Sequence, residues 1–72
     1  MKEKELQLIC DKIRKLRYEK GLTQEQVANH LNMSQNAYHK IENGRTKLLV
    51  VTLLMLADLF KVNPNDFFEN PS

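Results

Sequence analysis

Four polar side chains that could bind the edges of nucleic-acid bases lie at helical spacing: Gln35, Asn36, His39 and Lys40. Glutamine and asparagine can pair with adenine through two hydrogen bonds, and lysine can donate to guanine. Residues three or four apart share one face of an α-helix, as in the pairs 35/39, 36/39 and 36/40, so a helix here would present these groups together. Taken alone, this pattern favours a solvated helix face. For His39, a base contact and a solvated side chain are equally favoured.

The other reactive residue types do not combine into a catalytic or metal-binding pattern. Cys10, His30 and His39 lack the spacing of metal ligands, and the chain has no glycine-rich phosphate loop and no catalytic triad. We therefore expect a protein that is not an enzyme and that needs no cofactor and no metal. A single cysteine excludes an intrachain disulfide and fits a reducing compartment; Cys10 is expected to pack as a small apolar residue.

The length and charge of the chain predict one small domain with a basic side. Seventy-two residues with a net charge of +2 form one domain, residues 1–72. Residues 1–20 carry seven Lys/Arg against four Asp/Glu, whereas residues 49–72 carry one Lys against three acidic residues. A polyanion would therefore meet one side of the molecule if the basic segments converge.

Apolar residues recur at helical spacing throughout, which predicts an all-α fold of five short helices. Thr23 with Gln26 forms a capping box, Ser34 is an N-cap, and Gly44 fits the left-handed end of a helix. The predicted helices are Glu5–Lys20, Gln24–Leu31, Gln35–Asn43, Val50–Phe60 and a short turn opened by Asn63-Pro64. Their predicted inward residues are Leu6, Ile9, Ile13, Leu16, Val27, Ala28, Leu31, Ala37, Ile41, Leu53, Leu54, Leu56, Ala57 and Phe60.

The two short helices between about residues 24 and 43 meet across a tight turn, which is a helix-turn-helix arrangement. In that arrangement the second helix enters the major groove of DNA. The helix from Gln35 to Asn43 is therefore the predicted reading element. Gln35, Asn36 and Lys40, with His39, are its predicted base contacts.

The chain resembles the lambda repressor and Cro type of helix-turn-helix domain, also called the XRE-like family, from about residue 9 to residue 68. The resemblance depends on several segments in order, none of them decisive alone. They are Ile13-Arg14-Lys15-Leu16-Arg17, Gly21-Leu22-Thr23-Gln24-Glu25-Gln26-Val27-Ala28, Met33-Ser34-Gln35, Ile41-Glu42-Asn43-Gly44, Leu53-Leu54, Ala57 and Val62.

The resemblance implies roles for individual residues. Gln24 looks like the glutamine that holds a phosphate and braces Gln35. The residues expected to grip the DNA backbone after the reading helix are Asn43, Arg45 and Lys47. Arg17 and Glu42 match an internal salt bridge that fixes this helix against the first one. Tyr38 has two open interpretations. Its hydroxyl contacts a phosphate, or the ring is partly buried and the hydroxyl is solvated.

The fourth predicted helix departs from the family pattern. Position 49, which usually holds Ser or Thr, is Leu49, and apolar residues fill positions that are usually polar. Val51, Met55 and Leu59 form a second apolar stripe at i, i+4, i+8. The stripe predicts a homodimer interface; the alternative is that the segment Phe67-Phe68 partly covers it.

These observations predict a sequence-specific regulator of transcription that binds a palindromic operator on double-stranded DNA as a homodimer. We expect it in the cytoplasm, prokaryotic or phage-encoded, with no membrane segment and no evident small-molecule effector. The rival interpretation is a protein-interaction module, such as an antitoxin-like partner, that uses the apolar stripe. The operator sequence, the choice between activation and repression, and the genetic setting stay open.

Overall fold

The computed structural model describes residues 3–68, and in this range the chain forms helices and turns without a strand. The elements are α1 (Glu3–Glu19), α2 (Gln24–His30), α3 (Gln35–Glu42), α4 (Val50–Phe60) and a 3-10 helix (Pro64–Phe68). The all-α prediction is confirmed. The last of the five predicted helices is a 3-10 helix, so residues 3–68 contain four α-helices.

Side chains cap the starts of α2 and α3, as the sequence predicts. The Thr23 hydroxyl accepts from the Gln26 backbone N–H (3.1 Å), and the Gln26 side chain accepts from the Thr23 N–H (2.9 Å). The Ser34 hydroxyl accepts from the Ala37 N–H (3.0 Å). These bonds satisfy N–H groups that the first turn of a helix leaves without partners, so they fix where each helix begins.

The helix ends differ from the sequence prediction by one or two residues. Leu31 and Asn43 are C-caps rather than helical residues, because the chain turns immediately after them. Asn32 and Gly44 have φ values of +59° and +68°, in the left-handed region. Asparagine and glycine tolerate this conformation better than other residues. The turn between α2 and α3 is therefore short and well defined.

The core is formed by the inward faces of all four α-helices and by Phe67 of the 3-10 helix. Its buried apolar residues are Ile9, Ile13, Leu16, Val27, Ala28, Leu31, Tyr38, Ile41, Leu53, Leu56, Ala57, Phe60 and Phe67. The prediction that Leu54 belongs to the core is wrong, because this side chain lies on the outer side of α4 and is half exposed.

The outer side of α4 is apolar and in contact with solvent. We call Val50, Val51, Leu54 and Met55 the α4 apolar face; their exposed fractions are 72%, 58%, 50% and 37%. Leu59, the third member of the predicted stripe, is only partly exposed because it packs against the core. The 3-10 helix ends at Phe68 and leaves this face open within the described range.

Two further observations concern helix length and possible metal ligands. None of the described helices combines the length and apolar character that crossing a bilayer requires. Across residues 3–68, no three side chains of His, Cys, Asp or Glu are arranged to hold a metal ion.

Candidate nucleic-acid interface

Helix α3 separates its residues between two faces. Tyr38, Ile41 and Glu42 are buried against the rest of the domain. The exposed residues on the other side are Gln35, Asn36, His39 and Lys40. The side chains that the sequence singled out for base contacts therefore project from one outer surface, which we call the α3 polar face.

The α3 polar face is continuous with residues from neighbouring segments. Gln24 of α2 lines an open depression together with Gln35, Asn36 and His39. A second depression contains Asn36, Lys40 and Lys47, beside the start of α4. Asn36 borders both depressions, so the structure brings the predicted base-contact residues together with Gln24 and Lys47.

Beneath this surface, the carboxylate of Glu42 accepts hydrogen bonds from three side chains. Arg17 donates through Nε to Oε2 (2.6 Å) and through Nη2 to Oε1 (3.2 Å). Gln24 donates through Nε2 to Oε1 (3.1 Å), and the Tyr38 hydroxyl donates to Oε2. The Arg17–Glu42 contact is thus a two-point ion pair that connects α1 to the last turn of α3.

The ionisation of this cluster follows from its contacts. Burial raises the pKa of Glu42, but hydrogen bonds from Arg17, Tyr38 and Gln24 outweigh it, and the net pKa is lowered. Burial, followed by the hydrogen bond to Glu42 and its charge, raises the pKa of Tyr38. The hydrogen bond to Glu42 also raises the pKa of Arg17. At neutral pH the cluster is therefore an ion pair with a neutral tyrosine.

Neither interpretation of Tyr38 that the sequence left open is correct: its hydroxyl does not face a phosphate, and the residue is fully rather than partly buried. The ring has no exposed surface, and its hydroxyl is bonded to Glu42 inside the domain. Tyr38 and Glu42 are four residues apart on one helix, a spacing that places two side chains on the same face. That spacing was a signal in the sequence from which the contact could have been inferred.

The side chain of Gln24 also has partners that differ from the expected one. No hydrogen bond joins it to Gln35 in the described part of the chain. Instead its amide nitrogen contacts Glu42 and lies 3.4 Å from Nδ1 of His39. Gln24 therefore supports the helix through its last two turns rather than through its first residue, and its phosphate contact stays a prediction.

The loop that follows α3 holds the residues predicted to contact the DNA backbone. Asn43, Arg45 and Lys47 are all exposed. The Asn43 amide donates to the His39 carbonyl (2.8 Å), and the Arg45 N–H donates to the Lys40 carbonyl (2.9 Å). These bonds hold the beginning of the loop close to α3, while the role of the three side chains on DNA remains a prediction.

Two contacts between α1 and α3 are not predicted by the sequence. Arg14 donates through Nη2 to the Glu42 carbonyl (2.9 Å), a bond to the free C-terminal end of α3. The buried Cys10 thiol donates to the Ile41 carbonyl (3.3 Å), and burial raises the pKa of this thiol. Backbone carbonyls left free at a helix end need such donors, but their donors cannot be identified from side-chain types alone.

Comparison with known proteins agrees with this geometry. A family model described as a helix-turn-helix domain matches residues 11–72. The chain is 31% identical over 61 residues to the HTH-type transcriptional regulator DdrOP3 of Deinococcus deserti, covering 85% of this chain and 47% of that protein. It is 39% identical over 56 residues to the uncharacterized HTH-type transcriptional regulator y4dJ of Sinorhizobium fredii, covering 78% and 73%.

The chain covers only part of the length of each of these two relatives. This chain spans about half the length of the Deinococcus relative and about three quarters of the Sinorhizobium one. No solved structure matches it significantly. The family is a DNA-binding kind of protein and not an enzyme family. With its capped helix pair and the match over residues 11–72, the chain belongs to the XRE-like helix-turn-helix family.

Proposed function

We propose that this protein is a sequence-specific DNA-binding regulator of transcription that reads the major groove with the α3 polar face. The observation that carries the proposal is the exposure of Gln35, Asn36, His39 and Lys40 on one side of a helix whose other side is fixed by Glu42. A fixed helix matters because base contacts require side chains held at defined positions. Regulators named as such among its relatives support the assignment.

Binding would combine a non-specific and a specific part. Lys47 and Arg45, in the loop after α3, contact phosphates and set the register of the protein on the duplex. This part weakens as salt concentration rises, because it depends on the release of counterions. Gln35, Asn36 and Lys40 then select bases through the major groove. Such a regulator acts by occupying DNA. It would do so in the cytoplasm of a prokaryotic cell and would be encoded either by that cell or by a phage.

Lys40→Ala is expected to reduce discrimination at one base pair by about 1–3 kcal/mol. The duplex to use is the most enriched sequence from a selection on random DNA, and fluorescence anisotropy measures affinity for it and for a scrambled duplex. Lys47→Ala is the matched control, since it removes the same charge and should weaken binding to both duplexes alike. Equal losses on both duplexes for Lys40→Ala would show that Lys40 contacts a phosphate.

We further propose that the protein binds a palindromic operator as a homodimer formed through the α4 apolar face. An apolar surface of this kind in water favours association. Two-fold symmetry would present two copies of α3 to successive turns of one side of DNA, about 34 Å apart. Each dimer would then require two half-sites, which increases selectivity.

Val51→Glu combined with Met55→Glu should give a monomer by analytical ultracentrifugation. Both side chains are exposed, so the charges repel the partner without entering the core of one subunit. Leu8→Glu is the control, because it places a single carboxylate on an exposed apolar position of α1 and should leave the dimer intact. A double variant that sediments as a dimer would refute this interface.

A second function has support from the same face. The α4 apolar face could bind a different protein, with the helix-turn-helix serving as a scaffold. The two functions differ in a simple measurement, because the scaffold function predicts no electrophoretic shift of DNA at low salt. A clear shift that weakens as salt is added supports the DNA-binding function.

A further inference from the structure

The Gln24 side chain lies between a buried carboxylate and an exposed imidazole ring. Its amide nitrogen, Nε2, is 3.1 Å from Oε1 of Glu42 and 3.4 Å from Nδ1 of His39. One amide group is thus in contact both with the cluster that fixes α3 and with a residue of the α3 polar face.

The orientation of this amide is determined by Glu42. An ionised carboxylate can only accept hydrogen bonds, so Gln24 must turn its NH₂ group, and not its oxygen, toward Glu42. The NH₂ group carries two hydrogens. One is used by Glu42, and the other is available for the ring nitrogen of His39 on the other side.

A ring nitrogen that accepts a hydrogen bond cannot itself carry a proton. In a neutral imidazole one nitrogen is a donor and the other an acceptor, so acceptance at Nδ1 places the proton on Nε2. The Asn43 amide nitrogen lies at 3.4 Å from Nδ1 and 3.3 Å from Nε2 and does not distinguish them. Gln24 contacts Nδ1 alone, so the Gln24 contact decides the tautomer.

We propose that Gln24 holds His39 with its proton on Nε2, so that His39 presents a hydrogen-bond donor to DNA and selects a hydrogen-bond acceptor there. This inference rests on the proposed function. The acceptors available in the major groove are N7 and O6 of guanine, N7 of adenine and O4 of thymine. The amino groups of adenine and cytosine, which need an acceptor, are disfavoured as partners of His39.

The tautomer can be measured on the free protein by long-range ¹H–¹⁵N correlation spectra at mildly alkaline pH. His39 should show a protonated Nε2 and an unprotonated Nδ1. His30 is an internal reference, because it is exposed at the end of α2 and its ring should populate both tautomers. A His39 ring protonated on Nδ1, or with the same tautomer ratio as His30, would overturn the proposal.

Gln24→Met tests the cause of this preference. Methionine keeps the length of the side chain and suits a helix, but it cannot donate. Glu42 keeps Arg17 and Tyr38 as partners, so the fold should persist, which a thermal melt checks. The His39 tautomer ratio should move toward that of His30, and a ratio unchanged by Gln24→Met would contradict the assigned role of Gln24.

The reading of DNA is tested with the duplex selected from the random library. His39→Ala should lower affinity by roughly threefold to tenfold, the loss of one net hydrogen bond. His39→Glu, which can only accept, should move the selected base toward cytosine, whose amino group donates. If His39→Ala bound the duplex with wild-type affinity and His39→Glu selected the same base as the wild-type protein, the proposed role of His39 in reading DNA would be overturned.

The acceptor could be a base edge or a phosphate oxygen, and the same duplex distinguishes them. Replacement of one purine by its 7-deaza analogue removes an N7 acceptor, and a methylphosphonate removes a charged phosphate oxygen. The substitution that weakens wild-type binding but not His39→Ala binding identifies the acceptor. A selection that enriches no sequence contradicts the proposed function, whereas an Nδ1-protonated ring contradicts this inference even when a sequence is enriched.

Discussion

Glu42→Ala is expected to lower the free energy of unfolding by about 3–5 kcal/mol. The substitution leaves the buried Arg17 guanidinium without its carboxylate and removes the acceptor of the Tyr38 hydroxyl. A buried charge without a partner costs more than the lost ion pair itself contributes. A domain of this length has a total stability of about 4–11 kcal/mol, so the variant should be only marginally folded.

Urea denaturation measures this loss directly. Glu19→Ala is the control, since Glu19 is an exposed carboxylate at the end of α1 and should change stability by less than about 0.5 kcal/mol. Arg17→Ala and the double variant complete a thermodynamic cycle, in which the coupling energy isolates the ion pair. An unfolding midpoint unaffected by Glu42→Ala would show that the cluster has no net stabilising effect.

The same cluster predicts acid sensitivity. The pKa of Glu42 is lowered in the folded protein, so its contribution to stability is present above the unfolded pKa of about 4.3 and is lost as pH falls through the folded pKa. Glu42→Gln, with no carboxylate to titrate, should lose less stability over this range. If the wild-type protein and Glu42→Gln lost equal stability as the pH falls, the acid sensitivity would come from other carboxylates.

Phe67→Ala is expected to destabilise the domain by about 3–5 kcal/mol. Phe67 is 2% exposed, and the 3-10 helix that carries it packs against α1 and α4. Its removal would leave a cavity where the 3-10 helix meets α1, at the other end of the chain, and α4. The adjacent Phe68 is 55% exposed and supplies a matched control.

Thermal unfolding followed by circular dichroism compares the two phenylalanines. Each kcal/mol corresponds to about 4–8 °C in a domain of this size, so Phe67→Ala should lower Tm by more than about 10 °C. Phe68→Ala should shift it by only a few degrees. If the two variants melted together, the 3-10 helix would have no part in closing the core.

The sequence predicted those features that depend on neighbouring residues. Thr23 with Gln26, and Ser34 with Ala37, are capping contacts within four residues, and the structure contains both. The helix-turn-helix and the exposed face of α3 followed from them and from apolar spacing. Features that depend on three-dimensional packing are harder to predict from the sequence, because the type of a side chain does not reveal which group from another element it will contact.

Three residues illustrate the errors. Apolar spacing along the fourth helix predicts Leu54 as an inward residue, but it lies on the α4 apolar face. For Tyr38 the sequence leaves a phosphate contact and a partly buried ring both open, whereas the residue is fully buried and its hydroxyl bonds to Glu42 inside the domain. Gln24 was expected to contact Gln35, yet a buried carboxylate is a stronger acceptor than an amide oxygen, and Glu42 lies within reach.

The division of α3 into two faces has a consequence for divergence among related proteins. Tyr38, Ile41 and Glu42 maintain the fold, whereas Gln35, Asn36 and Lys40 make no contact on which the core depends. If the proposed function holds, substitutions at the exposed positions should therefore alter which DNA sequence is bound at little cost to folding. Duplicated genes of this type could acquire separate targets one substitution at a time, with His39 constrained more than its neighbours through Gln24.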